Sequence, residues 1–466
     1  MRLPLTVAAR PLMDMVFPIM AEQAFITLLA MVNAGMAGRA GTDVASAVGL
    51  VNSVSALATA IFSAIALGGT VAVSRARGAG KRAEADRAAF QCILLAVSAG
   101  AAIGATLAAF PVLTVNFLFG PSSEAIRSKA AAYLVWSAAG FPFLAATLAA
   151  SGVLRGAGNA RIPMAANILM NIAAAMAGRI FIFGFAIGGR SVLLPLGAAG
   201  AGMALSVARM TGTAIYAAAF ARKAGGIDLR NARKTRCVAV RGRFFGDRAA
   251  TVAVLAVGIP AAIESLAFNG GKLLTSTIVS GLGHSAAASD YLASAAAGLV
   301  QVPLSALQIA VPPLVGSALG RGKPAEARAA IGLACFAGSA ITLVIVVPGW
   351  LFAPAYLGLS TEDGETLAGA TAVFRLFCLM TPLFWATSFI VPAGLRGAGD
   401  GRYTMLAAIA SMWTVRVCLG WFLAVPAGFG LTGIWIAMVA DWMVRSALYL
   451  PRLRGAALAD LSDRVA

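Results

Sequence analysis

Long apolar segments recur along almost the whole chain, and they decide what it can fold into. A helix that crosses a bilayer needs about 20 mostly apolar residues. Twelve segments meet this requirement: residues 13–36, 44–73, 88–118, 128–152, 162–186, 197–221, 250–280, 286–318, 328–354, 367–394, 403–425 and 431–450. We therefore predict an all-α polytopic membrane protein with twelve transmembrane helices.

The composition agrees with this prediction. Hydrophobic residues make up 60% of the 466 residues and charged residues only 12%, against about 45–50% and about 25% in soluble globular proteins. These values exclude a soluble enzyme, a nucleic-acid module and a disordered protein. The five cysteines are dispersed without a C-x-x-C pair and there is one histidine, so we expect no metal site, no cofactor and no enzymatic activity.

Positive charges are distributed unequally between the two sides of the predicted membrane. Of the 36 lysines and arginines, 26 fall in the tails, the central linker and the loops on one side, and 4 in the opposite loops. Because cytoplasmic loops carry the excess of Lys and Arg, we predict a cell (inner) membrane protein with both termini cytoplasmic. This distribution accounts for the net charge of +18 without nucleic acid, and it favours contact with membrane lipids.

Short motifs recur with a separation of 241 or 242 residues. Pro18 and Glu22 recur as Pro260 and Glu264, and a Gly-x-Gly-Lys loop recurs at the same separation. The sequence LRGAG at 154–158 recurs at 395–399. A near-constant separation indicates duplication of a six-span unit, and an even number of spans gives both copies the same orientation.

The duplication predicts two six-helix bundles related by a pseudo-two-fold axis along the membrane normal. We place the N-terminal bundle at 1–222, a basic cytoplasmic linker at 223–249 and the C-terminal bundle at 250–466. Two bundles around a central site are typical of alternating-access transporters. We expect this chain to act as a monomer.

The order of the motifs resembles a known family. P-x-x-x-E is followed by G-R-x-G-T-x-x-A, a Gly-x-Gly-Lys loop, L-R-G-A-G, a second L-R-G-A-G-D, and finally S-M-W-x-V-R with G-x-W-x-A-M-x-x-D-W-x-x-R. This order, over about residues 12–450, is similar to that of the multidrug and toxic compound extrusion (MATE) family of the MOP flippase superfamily. The resemblance implies two six-helix bundles forming a V, and export of small organic compounds, cationic or amphipathic, driven by inward flow of H⁺ or Na⁺.

The sequence departs from this family where its coupling acids usually lie. Asn33 occupies the position of a first-helix Asp, and Ala175 stands four residues after Asn171, where another Asp is usual. The seventh-helix Glu of the sodium-coupled branch would fall at Phe268, and the span 367–394 contains no acid. An amide cannot ionise, so the usual coupling groups are missing.

Three other carboxylates are candidates for ion coupling: Glu264, Asp290 and Glu22. Glu264 follows the Pro260 helix break by four residues and has no cation within one helical turn. We expect it to face a cavity and to be the first candidate, because an ionisable group within the membrane is costly and usually functional. Proline removes a backbone hydrogen bond, so Pro18 and Pro260 are candidate hinges.

Polar residues inside the spans are candidates for the substrate cavity. They are Asn33, Asn171, Gln23, Gln301 and Lys272. Arg416, Asp441 and Arg445 form a separate group in the last two spans, which we interpret as a structural ion cluster. We predict a hydrogen-bonded pair between Arg416 and Asp441, because an unpaired charge in lipid is expensive.

The glycine-rich motifs have structural interpretations. Lys81 and Lys323 are not followed by Ser or Thr, and the first glycine of a phosphate-binding loop is absent, so nucleotide binding is not expected. Arg155 and Arg396 of the two LRGAG motifs fall at predicted cytoplasmic helix ends, where a cation is favourable. We interpret both motifs as structural or hinge elements.

Two alternative functions stay open. A lipid-linked-precursor flippase of the same superfamily would use a cationic cavity, for which four intramembrane cations are candidates: Arg179, Arg209, Lys272 and Arg375. A non-transporting membrane sensor or scaffold would have lost its coupling acids and would show a collapsed space between the bundles.

Overall fold

The computed structural model describes residues 5–119, 123–187, 190–230 and 247–454, and in these ranges the chain is almost entirely helical. The helices of the first half are α1 (Leu5–Arg39), α2 (Thr42–Gly78), α3 (Arg82–Ala109), α4 (Pro111–Phe119), α5 (Glu124–Ala139), α6 (Phe141–Gly156), α7 (Arg161–Phe183) and α8 (Gly197–Ala221). Two short strands, β1 (Phe185–Ile187) and β2 (Arg190–Leu193), lie between α7 and α8, and a 3₁₀ turn at Ala224–Gly226 follows α8.

The second half follows the same plan. Its helices are α9 (Arg248–Gly281), α10 (His284–Gly320), α11 (Pro324–Leu351), α12 (Ala353–Gly358), α13 (Gly364–Met380), α14 (Ala386–Gly397), α15 (Gly401–Ser411), α16 (Gly420–Ala424) and α17 (Gly430–Arg454). Two π-helical segments, Thr381–Trp385 and Met412–Leu419, connect α13 to α14 and α15 to α16.

The helices have the lengths that a membrane requires. Within the described residues, ten continuous or nearly continuous helices are long and apolar enough to cross a bilayer, and the pair α5–α6, bent by 48°, meets the same condition as one broken span. The α8 helix coincides with the predicted span 197–221 and has 25 residues. It is not among the ten, because its glycines, hydroxyl side chains and Arg209 make it less apolar. The predicted all-α polytopic membrane fold is confirmed.

The β1–β2 hairpin is not predicted from the sequence, which extends the fifth span to residue 186. The α7 helix ends earlier because Gly184 has φ +79°, and Phe185 pairs antiparallel with Leu193 immediately after it. The corresponding loop of the second half, between α16 and α17, is shorter. Equivalent residues are therefore 233 rather than 241 apart after this point, as Gly197 and Gly430 show.

The described helices form two compact units. The N-terminal unit comprises Ala21–Arg77 and Lys81–Gly258, and the C-terminal unit comprises Gly78–Gly80, Ile259 onward and the part of α1 up to Met20. In the N-terminal unit α2, α3, α6 and α8 surround a core in which the rings of Phe62 and Phe141 meet edge to face at 6.0 Å. The sequence-based boundaries at 222 and 250 stay predictions.

Glycines of the LRGAG motifs allow equivalent close helix contacts in both units. A Cβ on Gly156 of α6 would lie 2.6 Å from the carbonyl oxygen of Thr70 on α2. A Cβ on Gly397 of α14 would lie 2.7 Å from the carbonyl oxygen of Pro312 on α10. Small residues permit such backbone approach between membrane helices, and here they fix the position of the neighbouring arginines.

Candidate functional site

Glu22 and Arg155 form an ion pair inside the N-terminal unit. Arg155 at the end of α6 donates from Nη2 to Glu22 Oε1 on α1 over 2.6 Å, and Glu22 is only 2% exposed. Asn167 of α7 donates its side-chain amide to the same oxygen. The pair and the amide thus join the three helices α1, α6 and α7.

The C-terminal unit contains the equivalent pair. Arg396 at the end of α14 donates from Nη1 to Glu264 Oε1 on α9 over 2.7 Å, and both side chains are 12–13% exposed. The expectation that Glu264 lacks a nearby cation is therefore wrong. Its partner lies 132 residues away in the motif that the sequence assigned to a structural role, which is why sequence spacing alone misses the contact.

The two ion pairs have similar surroundings, apart from one amide donor. The second carboxylate oxygen of Glu22 and that of Glu264 are both buried and have no hydrogen-bond partner in the described residues. Tyr216 of α8 and Tyr449 of α17, equivalent residues at the separation of 233, each lie within electrostatic range of their own pair. The position equivalent to Asn167 is Ala408, so only the N-terminal pair has an amide donor.

Asp290 belongs to a different part of the C-terminal unit. Its Oδ1 on α10 accepts a hydrogen bond of 2.9 Å from the indole nitrogen of Trp435 on α17. The charges of Lys272 and Arg416 lie close enough to interact with it. Of the three carboxylates considered for ion coupling, Asp290 alone has no ion pair within 4 Å in the described residues. Which of them couples to an ion stays a prediction.

The charged residues of the last two spans pair differently from the prediction. Asp441 accepts a hydrogen bond of 2.9 Å from Nε of Arg445, one turn along α17, and another from the hydroxyl of Ser411. Arg416 makes no ion pair or hydrogen bond with Asp441 among the described contacts; its guanidinium lies 5.8 Å from the ring centre of Phe268. The i,i+4 spacing makes Arg445 the nearer cation, so the predicted Arg416–Asp441 bond is not formed.

Four of the five predicted cavity residues lie among the described side chains. Asn171 donates its amide to the backbone carbonyl of Asn167 on its own helix, 2.8 Å away. The side chain of Asn33 lies outside the described part of the chain, so its predicted polar pair with Asn171 stays untested. Gln23 and Gln301 are half-buried, and Lys272 is exposed. The candidate hinges Pro18 and Pro260 lie inside α1 and α9, which continue past them.

A cavity of about 250 Å³ lies within the N-terminal unit and was not predicted. It is lined by Ala30, Met36, Ala37, Val48, Asn52, Tyr133, Ala174, Gly178, Ile182, Ala201, Ala204 and Leu205. These residues come from α1, α2, α5, α7 and α8, near the end of the unit where α1 ends and α2 begins. The walls are apolar except for the Asn52 amide and the Tyr133 hydroxyl, which hydrogen-bond each other at 3.1 Å.

Sequence reasoning misses this cavity because small residues form it. Its two polar residues, Asn52 and Tyr133, are 81 residues apart in the sequence. The alanines that line the rest of the cavity are typical of ordinary helix packing, so they give no sign of a cavity. The available signal is the concentration of Ala and Gly on α7 and α8, which leaves a space that larger side chains would fill. Such apolar concavities with a few polar groups are typical of sites for small organic ligands.

Comparison with known proteins finds matches in both halves of the chain. The MatE family model matches residues 18–178 and 260–422, one match in each half. A probable multidrug resistance protein NorM of Thermotoga maritima is 26% identical over 441 residues, covering 95% of this chain and 91% of that protein. The multidrug resistance protein PmpM of Pseudomonas aeruginosa is 26% identical over 452 residues, covering 92% and 88%.

A solved structure has the same fold. A multidrug resistance MATE family transporter of the MOP superfamily, in an outward-facing conformation, superposes with a TM-score of 0.85 at 21% identity, covering 97% of this chain and 96% of that chain. The twelve-helix, two-bundle fold class is thereby confirmed. Because the family match spans most of both halves, the chain belongs to the MatE family and is a MATE family membrane transporter.

Proposed function

We propose that this chain is a secondary-active antiporter that exports small organic compounds, cationic or amphipathic, in exchange for H⁺ or Na⁺. The observation that carries the proposal is the repeated pair of buried carboxylates, Glu22 and Glu264. Each binds an arginine through one oxygen, and the other oxygen has no partner in the described residues. Relatives named as multidrug resistance proteins support the same function.

A carboxylate oxygen without a hydrogen-bond partner can accept a proton or contact Na⁺. A proton or Na⁺ that binds Glu264 weakens its attraction to Arg396, which ties α9 to α14. Leaving one partner of a buried ion pair uncompensated costs about 3–5 kcal/mol, enough to shift a balance between two conformations. An ion drives such a change only by binding one conformation more tightly. Glu264 is the first candidate, since Glu22 is held additionally by Asn167.

The cavity of the N-terminal unit supports an organic substrate. Its volume of about 250 Å³ is close to the lower end of small-molecule sites. The walls carry no charged side chain, so they fit the apolar body of an amphipathic compound. Asn52 and Tyr133 can each redirect a hydrogen bond to a polar group of that compound.

The proposal includes the location of the protein in the membrane and its partners there. The charge distribution supports a cell (inner) membrane location, with both termini cytoplasmic. Basic loops near the membrane surface favour contact with anionic lipids. We propose that the protein transports as a monomer. We also propose that it needs no cofactor besides the coupling ion, H⁺ or Na⁺.

The flippase alternative has weaker support. In the N-terminal unit, Arg179 lies over the ring of Phe183 and Arg209 donates to the backbone oxygen of Ser137. In the C-terminal unit, Arg375 lies over Trp350 and donates to its backbone oxygen. Three of the four cations considered are therefore engaged by local groups rather than directed together at a phosphate.

Transport in proteoliposomes tests the proposal. The purified chain is reconstituted, a pH gradient and a sodium gradient are imposed separately, and efflux of a fluorescent cationic dye is followed. We expect one gradient to drive export and Glu264→Gln to abolish it. Glu124→Gln, which changes an exposed carboxylate at the start of α5, is the matched control. Absence of export under both gradients would overturn the proposal.

A further inference from the structure

The C-terminal unit contains a cluster of five charged side chains with one more cation than acid. Three are cationic, Lys272, Arg416 and Arg445, and two are acidic, Asp290 and Asp441. The charge of Arg416 interacts with those of all four others. Asp441 and Arg445 are bonded to each other at 2.9 Å, and Asp290 accepts from Trp435. Within the described residues, Lys272 and Arg416 have no ion pair.

Packing between α9 and the π-helical segment Met412–Leu419 brings these two cations into the same part of the unit. A Cβ on Gly271 of α9 would lie 2.8 Å from Cγ of Met412 and closer still to its Cε, so the Met412 side chain at the start of the π-helical segment packs directly against α9. Lys272 follows that glycine, and Arg416 lies one turn into the π segment. Single-turn π insertions are rare and frequently occur at functional sites. The packing of this segment on α9 thus leaves Lys272 and Arg416 near enough for their charges to interact.

Two neighbouring cations inside a membrane protein require compensation. An ionisable group at this depth usually pairs with an opposite charge or lines a pathway for ligand or ion. Among the described residues, the carboxylate that interacts with both Lys272 and Arg416 is Asp290, whose Oδ1 is already engaged by Trp435. One more negative charge would neutralise the cluster, and the lysine side chain is exposed to receive it.

We propose that Lys272 and Arg416 bind the acidic group of an organic anion, most simply a carboxylate, and that Phe268 receives its apolar body. The guanidinium of Arg416 suits a carboxylate because its parallel N–H groups match the two oxygens. Its centre lies 5.8 Å from the centre of the Phe268 ring, so an apolar group bound there touches an aromatic face. The site rests on the proposed export function and specifies one substrate class for it: amphipathic compounds that carry an acidic group.

Binding of benzoate to the purified full-length chain tests the site. Calorimetry at fixed chloride compares benzoate with benzamide, which has the same ring and no charge. We expect benzoate to bind and benzamide not to bind. Arg416→Gln and Lys272→Gln should each weaken benzoate binding at least tenfold, and Arg416→Lys should retain part of it. Arg375→Gln, a cation of the same unit outside the cluster, should leave the affinity unchanged.

Several results would overturn the proposal of an anion-binding site. They are equal binding of benzoate and benzamide, an equal loss in Arg375→Gln, and complete displacement of benzoate by millimolar chloride. Circular dichroism and size exclusion establish that each variant is folded, and Arg416→Lys keeps the test valid if the glutamine variant is not. Dye export without benzoate binding overturns the anion site alone. Benzoate binding without ion-driven export overturns the transport proposal alone.

Discussion

Arg396 donates a hydrogen bond of 2.7 Å to Glu264 across 132 residues of sequence, and 241 residues earlier Arg155 makes the same contact with Glu22. Two motifs of each repeat, P-x-x-x-E and LRGAG, are therefore the two sides of one ion pair. The duplication has preserved the contact as well as the sequence. A function that depends on this contact can be examined in each half separately.

Glu264→Gln should abolish gradient-driven export, because the amide neither binds a proton nor balances Arg396. The variant should also lose about 3–5 kcal/mol of stability, the usual cost of leaving a buried charge unpaired. Denaturant titration of the purified protein measures this loss. The double variant Glu264→Gln/Arg396→Gln should regain stability but not export. Full export by Glu264→Gln under both gradients would eliminate the coupling role of Glu264 and would make Asp290 the next candidate.

Asn33→Ala should reduce gradient-driven export less than Glu264→Gln does, because an amide cannot ionise. The same proteoliposome assay compares the two variants.

Asn167→Ala makes the N-terminal pair resemble the C-terminal one, where Ala408 occupies the equivalent position. The change removes an amide donor to a buried carboxylate, and hydrogen bonds to charged groups contribute about 1.5–3 kcal/mol. We expect a loss of stability in that range, measured by denaturant unfolding. Asn116→Ala, which removes an exposed amide on α4 that accepts a hydrogen bond of 3.2 Å from Arg127, is the control. It should change stability less, because water can replace a hydrogen bond at an exposed position. An unchanged Asn167→Ala protein would show that Glu22 gains nothing from the amide.

Filling the N-terminal cavity should block transport without unfolding the protein. Ala174 lines the cavity on α7, and leucine at this position occupies space that the substrate needs. We expect Ala174→Leu to reduce dye export at least tenfold, with the thermal unfolding midpoint maintained or raised. Ala165→Leu, at an exposed position of the same helix, should transport normally. Equal rates for both variants would place the substrate elsewhere.

Arg445 should contribute far more to stability than Arg416. Arg445 and Asp441 form a pair in which both side chains are at most 4% exposed, whereas Arg416 makes no ion pair within the described residues. Arg445→Gln is expected to cost about 3–5 kcal/mol, and Arg416→Gln less than about 1 kcal/mol. Unfolding of the two variants, measured side by side, provides the comparison. A larger loss for Arg416→Gln than for Arg445→Gln would contradict this ranking.

Gly156→Ala and Gly397→Ala should both destabilise the protein. Each added methyl group would lie within 2.7 Å of a backbone carbonyl oxygen on the neighbouring helix, so the helices must separate. Overpacking of this kind typically costs about 1–3 kcal/mol. Gly298→Ala on α10 is the control, because nothing lies within 4 Å of the added atom. Stability equal to the parent in both LRGAG variants would refute the close-packing role.

The sequence predicts helices well and side-chain partners poorly. Runs of apolar residues determine each span, so the predicted span 197–221 coincides with α8. The partner of Glu264 is missed because contacts between distant segments leave no local pattern. The predicted Arg416–Asp441 bond fails for a related reason: two charges on neighbouring helices need compatible rotation, whereas Arg445 already lies one turn from Asp441 on the same helix.

The β1–β2 hairpin has a practical consequence. The separation between equivalent residues changes from 241 to 233 across this loop, while the helices on both sides keep their equivalence to the other half. Evolution has thus altered the length of this connection by eight residues without disturbing the duplicated architecture. A segment with that history is a natural place to insert an epitope or a fluorescent label for following transport in cells.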